Sequence, residues 1–190
     1  MNVFYLDQDP ELCARMHNDK HVVKMCTEYA QLMSTAHRVT DGELWYGRTS
    51  NGRRIARYFL SNGEMNEVLY KASHINHPSN QWVRSSEDHY NWLYAMWMNL
   101  CQEYTHRYGR VHEAQRKLEL YLMMPPVKID NIGFNEPPPA MKEFPQCIVK
   151  GDSIKSYHNY YWEAKRSFCH WTNRETPEWY QEYERNASVG

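Results

Sequence analysis

The sequence predicts an all-α fold, a single compact helical domain over residues 1–190 made of about five to seven helices with a long Pro-rich loop. Three observations predict it. Apolar residues recur at helical spacing in long stretches near 17–35, 86–108 and 153–171. The chain holds only 8 Gly in 190 residues and shows no internal repeat or low-complexity tract. Hydrophobic residues make up 42% and charged residues 24%, the balance of a globular chain able to bury a core.

Along the chain, Asn2 to Leu6 is a short apolar run. Asp9 then reads as an N-cap with Pro10 at the first helical position, opening a short helix that ends near His17. The main helix follows, and it should stop before the turn at Thr40-Asp41-Gly42. On it His17, His21, Lys24, Glu28, Gln31 and Thr35 form one stripe, read as a wet edge. Val22, Met25, Cys26, Tyr29, Ala30 and Met33 occupy the other side. That edge carries a histidine pair, an ammonium and a carboxylate within three turns.

Arg48, Arg53, Arg54 and Arg57 come next, flanked by Tyr46 and Tyr58 with no acid between them. They form the best phosphate-binding patch in the chain, although a solvated helix start has the same composition. Residues 63–73 read as a helical piece and His74 to Arg84 as a loop bringing His74, His77 and Trp82 together. Ser85 or Ser86 caps a strong helix with Tyr90, Leu93, Trp97, Leu100, Tyr104 and Tyr108 as its stripe, ended by Gly109. His112 to Leu122 makes another helix. Residues 124–145 form an irregular Pro-rich loop, expected as a flap beside a site. Ser153 to Trp171 reads as one helix with Ile154, Tyr157, Tyr161, Ala164, Phe168 and Trp171 buried. The tail has a helical turn after Pro177 and frays over 184–190.

The net charge of -1 excludes tight nonspecific nucleic-acid binding over the whole surface, while leaving room for a local basic patch. Five scattered cysteines with no C-x-x-C pair read as reduced thiols of a cytoplasmic protein. No apolar run is long enough for a bilayer and no signal-peptide pattern opens the chain, so no membrane is expected as a partner. No cofactor is expected either. The 15 Tyr, 7 Trp and 10 His point to half-wet binding surfaces.

With these elements placed, three short pieces covering about a quarter of the chain resemble, in their order and approximate spacing, the phage-type pyrimidine-dimer DNA glycosylases of the endonuclease V type. They are DKH followed seven residues later by Glu28, the helix end LCQEYTHRYG, and the closing PEWYQEY. The resemblance implies a compact, mainly helical enzyme in which the carboxylate matching Glu28 works beside an amine nucleophile that attacks the sugar carbon holding a base. It also implies that the aromatic tail, here Trp179, Tyr180 and Tyr183, packs near the damaged base. The chain departs from the family in three places, one of them the acidic tail with Glu175, Glu178, Glu182 and Glu184, which fits poorly against a phosphate backbone. The family's nucleophile is an N-terminal amine exposed on a small second residue, whereas here Asn2 follows Met1. The amine of Met1 serves, or Lys24 does, or the imine is not made. Thr27 and Gln31 stand where the family has arginines flanking its carboxylate, a role that Arg53, Arg54 and Arg57 could fill from another element.

The first expectation is therefore an N-glycosidase or base-processing enzyme acting on a damaged or modified DNA base or a nucleotide. Its catalytic candidates are Glu28, His21, Lys24 and Met1. Its substrate-binding candidates are His17, Gln31, Arg53, Arg54, Arg57, His77, Trp179 and Tyr180. A second expectation is a noncatalytic phage factor that binds a host protein or a nucleotide signal. A third is a metal-dependent hydrolase using His17, His21 and Glu28, joined by His74 or His77. It is opposed by the roughly 10 Å of helix axis between His21 and Glu28.

Overall fold

The computed structural model describes residues 1–188, a helix-dominated bundle of eight α-helices with one two-stranded antiparallel hairpin. The helical fold agrees with the sequence reading, and the hairpin is an addition to it. Among the described residues no helix is long and apolar enough to cross a membrane.

Val3 to Leu6 runs extended and buried along the bundle. Helix α1 (Pro10–Met16) starts where Asp9 accepts the amides of Glu11 and Leu12, with Pro10 in the first turn as expected. Helix α2 (Asp19–Asp41) is the central element, capped by Asn18 and closed at Gly42. Its apolar side is buried as the spacing requires, and the Trp97 indole donates to the Cys26 carbonyl across 2.7 Å.

The hairpin joins β1 (Glu43–Arg48) to β2 (Arg54–Phe59), with Trp45 opposite Arg57 and Arg48 opposite Arg54. Asn51-Gly52 forms its turn, and Gly52 takes φ +80°, a conformation glycine adopts without steric cost. Arg38 of α2 ties the hairpin base down. Its guanidinium donates to the carbonyls of Tyr58, Asn66, Leu69 and Tyr70 and to the Asn66 side chain, with no carboxylate among these partners.

Helix α3 (Gly63–Val68) is shorter than the 63–73 expected. The stretch expected as a loop contains α4 (Pro78–Val83), because His77 caps it by accepting the Ser79 amide and Pro78 supplies a preset first turn. Helix α5 (Glu87–Tyr108) follows Ser86 and ends at Gly109 in the left-handed region, packing against α1 and α2. Helix α6 (Glu113–Leu122) is capped by His112.

The Pro-rich segment is irregular as expected, but it is pinned at many points. Asp41 accepts the amides of Val127 and Lys128, Asn135 receives the Trp82 indole N–H, and Glu136 accepts the Ser153 amide. Helix α7 (Ser153–Tyr160) does not continue to Trp171. It passes into a π turn over Tyr161–Lys165 and a short 3-10 turn, Arg166–Phe168. Helix α8 (Glu178–Ser188) runs on through 184–188, where fraying was expected; residues 189 and 190 lie outside the described residues.

Candidate functional site

The N-terminal segment is held by a relay under α2. His17 Nδ1 lies 2.8 Å from the Cys13 carbonyl, which can only accept, so this nitrogen carries the proton. Nε2 is then the acceptor. The Tyr29 hydroxyl donates to it across 2.9 Å and accepts the Phe4 amide at 3.1 Å. Every polar group of the relay is paired, and burial pushes the His17 imidazole down to about 4. His17 thus lies in the core beneath the N-terminal segment, which corrects its expected place on a wet, substrate-binding edge.

His21 is buried beside it. Phe4 stacks on its ring at a centroid separation of 4.1 Å, and Nδ1 lies 2.7 Å from the Tyr161 hydroxyl. Burial, and then the neighbouring His17, Lys165 and Lys24, hold its basicity well below the ordinary histidine value. The imidazole is neutral at physiological pH, so it can hydrogen-bond within a site but does not supply a standing positive charge.

The anchored segment delivers the Met1 amine to α2. Its nitrogen stands 3.8 Å from Glu28 Oε2, and Lys24 Nζ stands 3.0 Å from Oε1 of the same carboxylate. The Met1 side chain is 6% exposed, whereas that of Lys24 is 66% exposed, so the two amines approach Glu28 from different depths. This trio lies in the wall of a cavity of about 610 Å³. That volume falls within the ~300–1,000 Å³ usual for small-molecule sites.

The other walls come from His77 at the head of α4, from Pro139 to Phe144 of the Pro-rich segment, and from Tyr160 and Lys165. The π turn explains the last pair. Five residues on an α-helix are separated by ~140° around the axis, and the wider turn brings them closer to one face. Lys165 Nζ accordingly sits 4.7 Å from the centre of the Tyr160 ring.

Four cationic groups, the Met1 amine, Lys24, Lys142 and Lys165, therefore line the cavity against two carboxylates, Glu28 and Glu143. His77 registers this field. Burial lowers its basicity first, followed by the Met1 amine, His74 and Lys142, with Glu28 opposing. An anionic ligand is favoured there, although the whole chain carries net charge -1.

The structure thus brings together Met1, His21, Lys24, Glu28 and His77. Gln31, half-buried one turn beyond Glu28, does not line the cavity. Arg53, Arg54 and Arg57 stand on the hairpin, outside this cavity, because their stretch folds as strands. The expected role of Trp179 and Tyr180 at a base is also corrected by their placement. Trp179 stacks on His158 at 3.9 Å and Tyr180 is 3% exposed, both committed to packing. Among the described residues no three His, Cys, Asp or Glu side chains converge as metal ligands, and both ring nitrogens of His17 are already bonded.

Sequence reasoning missed Lys142, Phe144, Tyr160 and Lys165. The first two lie in a segment without periodicity, and the last two share a face only through the π turn. No family model, curated protein or solved structure matches the chain.

Proposed function

We propose that the protein is a base-processing enzyme of the glycosylase/lyase kind, acting on a damaged or modified DNA base or a nucleotide through an amine held beside Glu28. One observation carries this reading: two primary amines share the Glu28 carboxylate in the wall of a cavity whose cationic groups outnumber its carboxylates four to two.

The proposed reaction proceeds as follows. The amine, its extra proton first lost to solvent, attacks C1′ of the nucleotide as the base leaves with the C1′–N bonding pair and takes up a proton from solvent. The nitrogen gives up a proton, the sugar ring opens with O4′ protonated, and an imine to C1′ results. Loss of a C2′ proton to water then expels the 3′ phosphate, which leaves with the C3′–O bonding pair. Glu28 accepts the proton from the amine, returns it to O4′ and offsets positive charge on the sugar. Lys142 and Lys165 bind phosphate, while Phe144 and Tyr160 supply aromatic surface for an exposed base. The five free cysteines, four of them buried, support a reducing, cytoplasmic setting.

The test is borohydride trapping on oligonucleotides carrying undamaged, ultraviolet-damaged and abasic sites. Wild type should give a covalent adduct and Glu28→Gln should reduce it about 100-fold. Absence of adduct, nick and released base on all three substrates would overturn the reading. A noncatalytic binding role has one observation in its favour, the exposed basic and aromatic hairpin, and oligonucleotide binding without any chemistry would select it.

A further inference from the structure

The hairpin carries a surface that the bundle leaves open. Between Glu43 and Phe59 it holds four arginines, Arg48, Arg53, Arg54 and Arg57, against the single acid Glu43. Among the described residues no carboxylate lies within 4.0 Å of any of these guanidiniums. Trp45 and Phe59 are nevertheless 45% and 50% exposed, an arrangement a soluble surface does not need for packing.

The placement of Trp45 is specific. A Cβ built on Gly47 would stand 3.0 Å from Cη2 and 3.2 Å from Cζ3 of the indole. The ring therefore lies along its own strand, over the one residue that has no side chain to lift it. Its inner face rests on the sheet and its outer face is open. Phe59 lies beside it at a centroid separation of 5.6 Å, and Arg57 is its cross-strand partner. Trp45, Arg57 and Phe59 also border a cleft of about 330 Å³ whose lining includes Lys71, with Glu67 as its one carboxylate. On the opposite face, Arg54 caps the Tyr46 ring at 3.8 Å, which leaves that ring less available.

We infer that the Trp45, Arg57 and Phe59 face of the hairpin binds single-stranded nucleic acid, with a base stacked on the indole and phosphates held by Arg57 and Lys71. The charge of the hairpin is complementary to a phosphate chain. An open indole face accepts any unpaired base, whereas bases within a duplex already have stacking partners. This inference does not rest on the amine chemistry of the cavity.

The experiment is fluorescence anisotropy of a short labelled oligothymidylate titrated with the full chain at two salt concentrations. Undamaged oligonucleotide is used, so no reaction at Glu28 is read. Trp45→Ala should weaken binding about tenfold. Arg57→Ala should weaken it and reduce the slope of log affinity against log salt by about 0.7. Both side chains reach the surface, and far-ultraviolet circular dichroism checks that each variant retains its fold. The inference is overturned if neither substitution changes affinity, if a matched duplex binds as tightly as the single strand, or if polyglutamate displaces the oligonucleotide at equal charge. Failure here leaves the trapping result untouched, and a negative trapping result leaves this binding untouched.

Discussion

The Tyr29 hydroxyl donates to His17 Nε2 across 2.9 Å and, by accepting the Phe4 amide, fixes the extended segment that begins at the Met1 amine. Tyr29→Phe leaves a buried imidazole nitrogen and a buried amide without partners, at a cost of about 2 kcal/mol. Urea unfolding should read that loss. If Met1 supplies the nucleophile, trapping should fall further than the stability change explains, and if Lys24 does, it should not.

The two amines beside Glu28 differ in exposure, which makes the nucleophile directly identifiable. Peptide mapping of a trapped adduct should place the sugar on the Met1 nitrogen, the amine aimed inward, and Lys24→Ala should retain at least half of the trapping. An adduct found only on Lys24 would reassign the nucleophile without removing Glu28 from its role.

Arg38→Lys should destabilise the protein by about 3 kcal/mol. An ammonium has three donors, too few for the five bonds that Arg38 makes, so buried carbonyls at the hairpin base lose their partners. A drop in the urea midpoint of less than a third of that size would mean that water or a shifted backbone replaces the fork.

Acid should destabilise the fold well before the carboxylates titrate. Burial depresses His17, His37 and His158 to about 4, from 6.5 in the unfolded chain. Between those values the unfolded state binds more protons, so the stabilisation is complete above 6.5, declines as pH falls toward 4, and is flat for these groups below that. His17 alone accounts for about 3 kcal/mol over this interval. Urea midpoints measured from pH 7 to pH 4 should fall steadily, and a constant midpoint would show that the imidazoles become charged without unfolding.

Gly42→Ala should loosen the hairpin. A Cβ there would stand 2.4 Å from the Arg38 carbonyl oxygen and 3.0 Å from that of Phe59, both backbone atoms at the junction of α2 and β2. Hydrogen exchange should accelerate in 43–59 while the core of α5 stays protected, and uniform acceleration would mean that the junction supports the whole bundle.

The sequence makes the helices legible where capping and periodicity agree. Asp9-Pro10 marks α1, and the Val22 to Met33 pattern marks the buried side of α2. The hairpin is hidden by its composition, since four arginines give the stretch the character of a solvated helix start and mask Asn51-Gly52, the turn signal between its strands. The Glu28 end of the site was legible because Lys24 and Glu28 are one turn apart on one helix. The histidine end was misread as wet because the strand that buries it comes from Val3 to Leu6, outside any helical pattern. Lys142 and Lys165 reach the cavity through tertiary placement alone, which no local spacing encodes.

Beside the local Tyr29 relay, several contacts that seat the first nineteen residues come from the far end of the chain. His158 binds the Leu6 carbonyl, the Trp171 indole donates to the Met16 carbonyl, and Thr172 holds Asp19, over separations of 152, 155 and 153 residues. During synthesis the residues made first must wait for those made last, since loops of this length close only when both ends have emerged. The cavity is complete only once Tyr160 and Lys165 have joined it, so a chain cut before residue 158 lacks that wall.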